Sequence, residues 1–394
     1  MNEIPHTANA ADLPRHVQQA LATAPTSPYL VVDLDVVDAR YAELTAAFPS
    51  IPAYYAVKAN PMPEVLRLLA QRGCRFDVAS PEEIACCLRA GADPRMLSFG
   101  NTIKKRSAIA YAAGLGIDRF AFDSAHELEK LIELAPGALV MCRVLSEGEG
   151  AAWPLSRKFG CDDRTAVQLL ERAARAGMRI GIAFHVGSQQ AETRAWDPAL
   201  KATIAMTDEL EAHGINVDLV NLGGGFPGIY RQGAPGIDQY ATAISAAIAN
   251  AYAGRHQPEF ILEPGRYLVA DAGTLQSEVI TIGRKSLADL QSWVFLDVGI
   301  FQGLFEATGE AIQYRITTEH DGTATQPVVL AGPTCDSADV LYEHAGYELP
   351  IALTDGDRVL LHSTGAYTTT YSSIGFNGFP PLAGIAVSSE GPAS

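Results

Sequence analysis

The chain has 394 residues, of which 48% are hydrophobic, so it can bury a sizeable core and form more than one domain. Its net charge of −16 argues against a nucleic acid or an anionic membrane as its partner, because both require a basic surface. No apolar run is long enough to cross a bilayer and the amino terminus lacks the pattern of a signal peptide, so we expect a cytoplasmic protein.

The six cysteines do not follow the spacing of a metal site. None forms a C-x-x-C pair, and none lies at zinc-ligand spacing from a histidine. We therefore expect no bound metal and no disulfide framework.

Eight short apolar segments, most of them followed by a helix-like stretch, occupy the chain from Ile51 to Tyr267. They are AYYAVKAN, RFDVAS, MLSFGN, RFAFDS, ALVMCRV, RIGIAFHVGS, VDLVNLGGGF and EFILEPGRY. Intervening stretches such as PEEIACCLRAG have apolar residues at three- and four-residue spacing, with proline near the start and glycine at the end, as helices prefer. This alternation predicts an α/β fold, a (β/α)8 barrel of the TIM type, in a domain that covers 31–270.

From about residue 271 the pattern changes to strands with few helical intervals. The strand-like segments are TLQSEVITIG, SWVFLDVG, AIQYRITT, PVVLAG, DRVLLHSTGAY and LAGIAV. They predict a second, mostly antiparallel β domain over 271–394, and we expect an amino-terminal segment, 1–30, to pack on it.

Reactive side chains cluster where the predicted barrel strands end. They are Lys58, Asp77, Asn101, Asp123, Arg143, His185, Glu263 and the glycines 223–225. Because the chemistry of such barrels is located at the carboxyl ends of the strands, this clustering predicts a catalytic site there. We expect Lys58 to point into an apolar pocket, where loss of water favours the neutral amine that can attack an aldehyde.

Glycine-rich NLGGGFPG follows the seventh strand, where barrels often bind phosphate. Gly223, Gly224 and Gly225 would allow backbone N–H groups to approach an anion closely. In EPGRY, after the eighth strand, Glu263 would face the pocket and Arg266 would add a charge to the phosphate site.

FHVGSQ, after the sixth strand, offers two further ligands. His185 could stack on an aromatic cofactor and Ser188 could bind a phosphate. In the β domain, Cys335 in GPTCDSAD is a thiol acid or base beside Asp336, which could hold a cationic amine. Tyr367 in GAYTTTYSS could donate to a phosphate.

Each of these features also has an ordinary structural explanation when taken singly. A strand-end lysine can reach solvent, a glycine-rich loop can be a flexible turn, and a Glu–Arg pair can lie on the surface. A lone histidine is more often structural, and an aromatic cluster more often belongs to a core or an interface.

Taken together, the segments resemble the fold-type III pyridoxal-phosphate decarboxylases, in particular the bacterial ornithine/lysine decarboxylases. The resemblance extends from about Tyr29 to Val387 and rests on the ordered set AVKAN, FDVAS, FHVGSQ, NLGGGFPG, EPGRY, GPTCDSADVLYE, GAYTTTYSS and FNGFPPL. It implies a carboxy-lyase that uses pyridoxal 5'-phosphate and converts L-ornithine to putrescine and/or L-lysine to cadaverine, with release of CO2.

The resemblance implies a role for each catalytic residue. Lys58 is similar to the lysine that binds the cofactor, Glu263 to the acid that pairs with the pyridine nitrogen, and His185 to the residue stacked on the ring. Cys335 is similar to the thiol that returns a proton to the substrate carbon. Asp336 is similar to the acid that binds the distal amine of the substrate.

The resemblance also implies a cofactor-binding set and an assembly. That set is Lys58, Asp77, Arg143, His185, Ser188, Gly223, Gly224, Gly225, Glu263, Arg266 and Tyr367. Of these, Asp77 and Arg143 match positions that support the ring and the lysine. In the family, Cys335 and Asp336 reach the active site of the neighbouring subunit, so a homodimer with shared sites is implied.

Glu306, in LDVGIFQGLFEAT, occupies the position of the distal acid, where eukaryotic ornithine decarboxylases have Asp. The longer acid should shorten the pocket by about one methylene, which favours ornithine over lysine by roughly 1–3 kcal/mol. Glu310 lies close enough in sequence to be the contact instead, and Phe376 is a further predicted substrate-binding residue.

Two alternatives remain open from the sequence. The first is a decarboxylase of a related substrate, such as diaminopimelate, arginine or another diamino acid. Diaminopimelate would need a cation at its distal end, whereas this chain offers Asp336 and Glu306. The second is a non-catalytic homologue that acts by protein binding, although such proteins lose cofactor residues and Lys58, Glu263 and Cys335 are present here.

Overall fold

The computed structural model describes residues 13–155 and 158–391, so the first twelve residues of the predicted amino-terminal segment lie outside it. The described residues form two compact units. The β unit contains the residues up to Val37, the segment Gly228–Ala234 and the residues from Leu268 onward; the barrel unit contains Asp38–Pro227 and Pro235–Tyr267. The domain limits at 30 and 270 stay a prediction. Within the described ranges, no helix combines the length and the apolar character needed to cross a membrane.

The described strands are β1 (Tyr29–Asp33), β2 (Tyr54–Ala56), β3 (Arg75–Val78), β4 (Leu97–Phe99), β5 (Arg119–Phe122), β6 (Leu139–Arg143), β7 (Ala151–Trp153), β8 (Arg179–Ala183), β9 (Ser188–Gln190), β10 (Leu219–Asn221), β11 (Glu259–Ile261), β12 (Gly273–Gly283), β13 (Ser292–Leu296), β14 (Ile316–Thr318), β15 (Thr325–Ala331), β16 (Val340–Pro350), β17 (Arg358–His362) and β18 (Ala383–Val387). The described helices are α1 (Arg15–Ala22), α2 (Leu34–Ala47), α3 (Pro63–Gln71), α4 (Pro81–Arg89), α5 (Arg106–Gly114), α6 (Ala125–Leu134), α7 (Asp163–Arg175), α8 (Trp196–Ala212), α9 (Ile237–Ala251) and α10 (Arg266–Val269).

The barrel unit is built on one parallel sheet whose strands follow the order of the chain: β2, β3, β4, β5, β6, β8, β10 and β11. A parallel bridge joins Ala53 to Leu262, and the Tyr54 N–H donates to the Leu262 carbonyl at 2.8 Å, so the first strand meets the last. These strands match the eight predicted segments one to one. The predicted (β/α)8 barrel is therefore confirmed, and the strands' carboxyl ends share one rim.

Short apolar strands give the barrel a dry interior. A buried cluster at its core consists of Tyr54, Leu139, Met141, Ala183, Leu219 and Ile261. These side chains come from five different strands, as expected for a barrel filled by layers of side chains rather than by water.

Side-chain caps determine where several outer helices begin. Ser80 Oγ accepts from the Glu83 N–H at 3.2 Å, while Glu83 Oε2 accepts from the Ala79 N–H at 2.7 Å, a reciprocal cap at the start of α4. The side chains of Ser124 and Asp162 cap α6 and α7 by accepting from the backbone N–H group three residues further along the chain. Each of these caps lies in the connection between a barrel strand and the outer helix that follows it.

The β unit contains a sheet in the order β14, β17, β12, β13, β15, β16, with β1 paired to both β12 and β18. Only the pairs β1–β18 and β13–β15 are parallel among the described strands of this sheet, so the predicted mostly antiparallel β fold is confirmed. Val17 and Leu21 of α1 pack on Val31 and Leu360 of this sheet.

Candidate active site

Lys58 lies in a single 3-10 turn, Val57–Ala59, directly after β2. Its side chain is exposed, so the expectation of a lysine buried among apolar strands is wrong. The reason is local, because the chain leaves strand geometry before Lys58, and only its neighbours Val57 and Ala59 are buried. The positive charge of Lys58 acts on the rim's carboxyl groups, where it lowers the pKa values of Asp77 and Glu263 against the opposing effect of burial.

Asp77, in β3, is the most perturbed acid of the rim. Burial raises its pKa well above the ordinary value, the nearby Glu263 carboxyl raises it further, and Lys58 opposes both. Its Oδ1 has no hydrogen-bond partner among the described residues. A side chain on Gly100 would collide with that oxygen, so glycine is required where β4 ends.

Glu263 follows β11 and is half-buried. Burial raises its pKa, whereas a hydrogen bond from Asn221 and the charges of Lys58 and Arg143 lower it. The Asn221 Nδ2 donates to Glu263 Oε1 at 2.6 Å. Glu263 is therefore within electrostatic reach of Lys58 and Arg143, as the barrel topology predicted.

Arg143 ends β6 and carries the second cation of the rim. Burial lowers its pKa, while Glu263, Asp123 and Asp77 raise it. The guanidinium lies over the Phe159 ring, 4.9 Å from its centroid. The rim thus combines two cations with three carboxyl groups whose charges act on one another.

His185, after β8, is held neutral. Burial lowers its pKa well below the ordinary value, and the positive charges of Arg143 and Lys58 add to the effect. The Gly187 N–H donates to His185 Nδ1 at 3.0 Å, so the proton of the neutral ring is on Nε2. Ser146 Oγ donates to the His185 carbonyl and anchors the backbone at the same point.

The predicted phosphate-binding residues of the barrel come together around β9 and the ends of β10 and β11. Arg266 is 3% exposed, and its Nη2 donates to Ser188 Oγ at 3.1 Å. Gly223 and Gly225 have φ values of 70° and 107°, which favour glycine. A Cβ on Gly225 would lie 2.6 Å from the Gly187 carbonyl oxygen, and one on Gly224 would strike the Glu263 carbonyl oxygen. Only a backbone without side chains can form this cradle.

In the β unit, Cys335 and Asp336 are exposed on the loop after β15. The Cys335 N–H donates to Asn377 Oδ1, in the 376–378 turn, at 2.8 Å. Phe376 in the same turn packs on Phe301, with ring centroids 4.6 Å apart. The predicted thiol, distal acid and substrate-facing aromatic residue therefore lie in adjoining segments of one unit.

Glu306 is 5% exposed, and its neighbour Phe305 packs edge-on against Tyr371, which in turn packs on Tyr367. Tyr367 has a φ of 57°, uncommon for a residue with a side chain and often found at functional sites. Glu310 Oε1 accepts from the N–H groups of residues 343 and 344 at 2.7 and 2.6 Å. The structure therefore gives Glu310 a backbone partner in β16.

A family model described as "Pyridoxal-dependent decarboxylase, pyridoxal binding domain" matches residues 34–270. The chain belongs to the pyridoxal-dependent decarboxylases. A curated relative, the lysine/ornithine decarboxylase of Selenomonas ruminantium, is 35% identical over 365 residues, which cover 92% of this chain and 90% of the relative.

Solved structures of the family have the same fold. The lysine/ornithine decarboxylase of Vibrio vulnificus complexed with putrescine has a TM-score of 0.83 at 29% identity, and the match covers 94% of this chain and 97% of that one. SrLDC in complex with PLP and cadaverine has a TM-score of 0.83 at 32% identity, with 94% and 92% coverage. The cofactor of this pyridoxal-dependent decarboxylase is pyridoxal 5'-phosphate.

The rim residues of this pyridoxal-dependent decarboxylase fit that cofactor. The glycine cradle with Arg266 and Ser188 offers N–H groups, a guanidinium and a hydroxyl to a phosphate. The partnerless Asp77 Oδ1 and the Glu263 carboxyl offer acceptors to polar groups of a ring, and Lys58 supplies an amine for the aldehyde.

Three residues that organise the site were not predicted. Asn221 joins Glu263 to the glycine loop. Glu83 caps α4, and the charge of Lys58 lowers its pKa against the effect of burial. Asp339, 2% exposed, accepts from the N–H groups of Ile300 and Thr334 and so shapes the loop that carries Cys335. The one signal for Asp339 was its place within GPTCDSAD, and nothing in that sequence distinguishes it from Asp336.

Proposed function

We propose that this chain is a carboxy-lyase that removes CO2 from a basic L-amino acid, converting L-ornithine to putrescine and/or L-lysine to cadaverine. The observation that carries the proposal is the meeting of Lys58, Asp77 and Glu263 at one barrel rim, in mutual electrostatic reach. The phosphate cradle of Gly224, Arg266 and their neighbours belongs to the same rim. The names of the curated relatives support the substrate class.

When bound, pyridoxal phosphate supplies an electron sink for the electron pair that remains as CO2 departs. Lys58 would hold the cofactor through its amine. Glu263, whose pKa is raised by burial and lowered by Asn221, Lys58 and Arg143, would hold a proton at the pyridine nitrogen. His185 would pack against the bound ring as a neutral imidazole and so would add no positive charge against the sink.

The remaining residues orient the reactants. Ser188, Arg266, the glycines 223–225 and, from the β unit, Tyr367 bind the phosphate and fix the ring. Asp77 and Arg143 support the ring and the amine of Lys58. With the cofactor held by these groups, the site would fix the orientation of the substrate and so select the bond that breaks.

We assign the substrate-specific groups to the β unit. Cys335 donates the proton that replaces CO2, and Asp336 binds the distal ammonium of the substrate. Glu306 and Phe376 complete the distal end, and Glu310, whose Oε1 accepts from two backbone N–H groups, is the alternative to Glu306. Cys335 and Asp336 act on the site of the neighbouring subunit, so the working form is a homodimer. We place this homodimer in the cytoplasm.

The test is to incubate the purified protein, supplied with pyridoxal phosphate, with L-ornithine, L-lysine, L-arginine and diaminopimelate in turn. We expect CO2 release and a diamine product from ornithine or lysine, and none from Lys58→Ala. Turnover of only arginine or diaminopimelate would contradict the proposed substrates, ornithine and lysine. A protein that binds the cofactor but turns over none of the four amino acids would contradict the proposed decarboxylase activity.

A further inference from the structure

Asn221, the last residue of β10, connects the two functional parts of the barrel rim. It is 2% exposed. Its Oδ1 accepts from the Gly223 N–H at 2.9 Å, and its Nδ2 donates to Glu263 Oε1 at 2.6 Å. One small side chain therefore holds both the glycine loop and the acid that faces the cofactor ring.

The backbone reinforces this connection. Asn221 is paired with Ile261 in the parallel sheet, and the Glu263 N–H donates to the Gly223 carbonyl at 2.8 Å. Glu263 is therefore fixed relative to the loop through both its main chain and its side chain. A shift of the loop would move the acid with it.

Only a carboxamide satisfies both partners at once. Gly223 requires an acceptor, whereas an ionised Glu263 requires a donor. Aspartate would accept from Gly223 but would place a second carboxyl group against Glu263, and leucine would serve neither. The orientation of the amide follows from these two bonds, because the reverse orientation would oppose donor to donor and acceptor to acceptor.

We infer that Asn221 is a positioning residue that holds one oxygen of Glu263, leaves the other for the pyridine nitrogen, and couples this acid to the phosphate loop. The inference rests on the proposed function, since it assigns Glu263 to the cofactor ring. Asn221 itself touches neither the substrate nor the reacting atoms. Its donated hydrogen bond opposes the burial that would otherwise favour a protonated Glu263.

The experiment compares Asn221→Asp, Glu263→Gln and the double variant, with Asn250→Asp as the control. Asn250 is exposed at the end of α9, so its substitution adds the same charge to the same unit without touching the rim. For Asn221→Asp we expect the affinity of the apoprotein for pyridoxal phosphate to fall by about tenfold or more at neutral pH. The acid limb of the affinity–pH profile should move up by about one pH unit, because two adjacent carboxyl groups share a proton.

The double variant separates positioning from fold maintenance. Its new glutamine amide can donate to its new aspartate, which reverses the donor and acceptor of the original pair. The double variant should therefore regain the melting temperature lost in Asn221→Asp, while its turnover stays as low as in Glu263→Gln. Wild-type affinity and pH profile in Asn221→Asp, or simple additivity of the two substitutions in melting temperature, would overturn the inference.

A second measurement needs no variant of Asn221. With asparagine labelled by nitrogen-15, the side-chain amide signal of Asn221 in the apoprotein should shift with pH and lose that shift in Glu263→Gln. An amide signal that does not titrate would overturn the inference even if Asn221→Asp failed to fold. A wild-type protein that binds no pyridoxal phosphate would instead overturn the proposed function, and this inference with it.

Discussion

Individual charges at the rim are set by their neighbours rather than by residue type alone. Burial pushes the pKa of Asp77 and of Glu263 upward, yet Lys58 lowers both. The same surroundings push the pKa of His185 downward and keep it neutral. Burial and the neighbouring cations therefore oppose each other at the acids of the rim but act together on the imidazole.

Glu263→Gln removes the negative charge but keeps the size of the side chain. We expect the turnover number to fall by roughly a hundredfold or more, because the pyridine nitrogen loses the anion that holds its proton. Cofactor affinity should fall much less, since the phosphate cradle is unchanged. Steady-state kinetics and a cofactor titration measure the two effects.

The control for that substitution is Glu259→Gln in β11, the strand that precedes Glu263. Glu259 lies at the other end of β11, exposed, in ion pairs with Arg75 and Arg119. Its loss should leave turnover unchanged, because exposed ion pairs contribute little. Equal loss of turnover in both variants would show that strand β11, not the rim charge, was disturbed.

The residue scale is also where sequence reasoning reached its limits. The positions of Lys58, His185 and Glu263 followed from strand ends, but the exposure of Lys58 did not, because a three-residue 3-10 turn has no pattern of its own. Asn221 was overlooked because an asparagine after a strand is an ordinary turn residue. Its role depends on Glu263, 42 residues away, which only the folded barrel brings near.

Short loops after the barrel strands determine which backbone groups face a ligand. The glycine loop after β10 packs tightly against its neighbours. A Cβ on Gly223, Gly224 or Gly225 would strike the backbone carbonyl oxygen of Phe184, Glu263 or Gly187, respectively. Its glycines therefore serve close packing as well as conformational freedom. Such a loop cannot bind an anion if a side chain forces it outward.

Gly224→Ala tests this packing. Gly224 has no left-handed backbone angle, so the main obstacle to alanine is the Glu263 carbonyl oxygen that its Cβ would strike. We expect cofactor affinity to fall by about tenfold or more, because the loop must move away from the phosphate. Gly236→Ala is the matched control, since Gly236 precedes α9 and its Cβ would meet nothing within 4 Å. Unchanged affinity in Gly224→Ala, measured by titration of the apoprotein, would contradict the cradle.

At this scale the sequence was most informative where strand and helix alternate. All eight barrel strands were predicted because each is a short apolar run before a turn or a capped helix. Strand β16, eleven residues long, was not predicted. Its sequence contains an internal Gly346 with a φ of 65°, and its pairing with β15 shifts register, so neither strand alternation nor a continuous apolar run marks it.

At the scale of the whole molecule, the proposed function assigns roles to residues of each compact unit and implies a homodimer. The barrel unit contains Lys58 and Glu263, and the β unit contains Cys335 and Asp336. Because sequence patterns describe one chain at a time, the homodimer rested on family resemblance alone. A direct test of shared sites is complementation between inactive variants.

Lys58→Ala and Cys335→Ala subunits, each impaired alone, should regain activity when they are mixed and allowed to exchange. A mixed dimer contains one intact site, so random exchange should restore about a quarter of the wild-type activity. Size-exclusion chromatography establishes the dimer, and steady-state assays measure the recovery. No recovery after demonstrated exchange would place Lys58 and Cys335 in the same subunit's site or in no common site.

Acid stability of the molecule depends in part on His362, which ends β17 and is 4% exposed. Burial and the charge of Arg315 lower its pKa from 6.5 to about 4, so the unfolded chain binds the proton more readily. The stabilising contribution is present above pH 6.5 and is lost as the pH falls toward 4, at most about 3 kcal/mol. Urea unfolding from pH 7 to pH 4 should show a shallower loss of stability in His362→Gln than in the wild type. The exposed His256→Gln should behave as the wild type, and parallel wild-type and His362→Gln curves would contradict this role of His362.

The central claim, that Lys58 carries the cofactor, is tested most directly by reducing the pyridoxal-phosphate complex with borohydride and mapping the modified peptide. Lys104 is the strongest competitor, because burial lowers its pKa to about 8, yet it is enclosed with Glu127 at 3.1 Å. We expect stoichiometric modification of Lys58 and none of Lys104. Modification of any other lysine in the folded wild-type protein, with Lys58 unmodified, would contradict the claim.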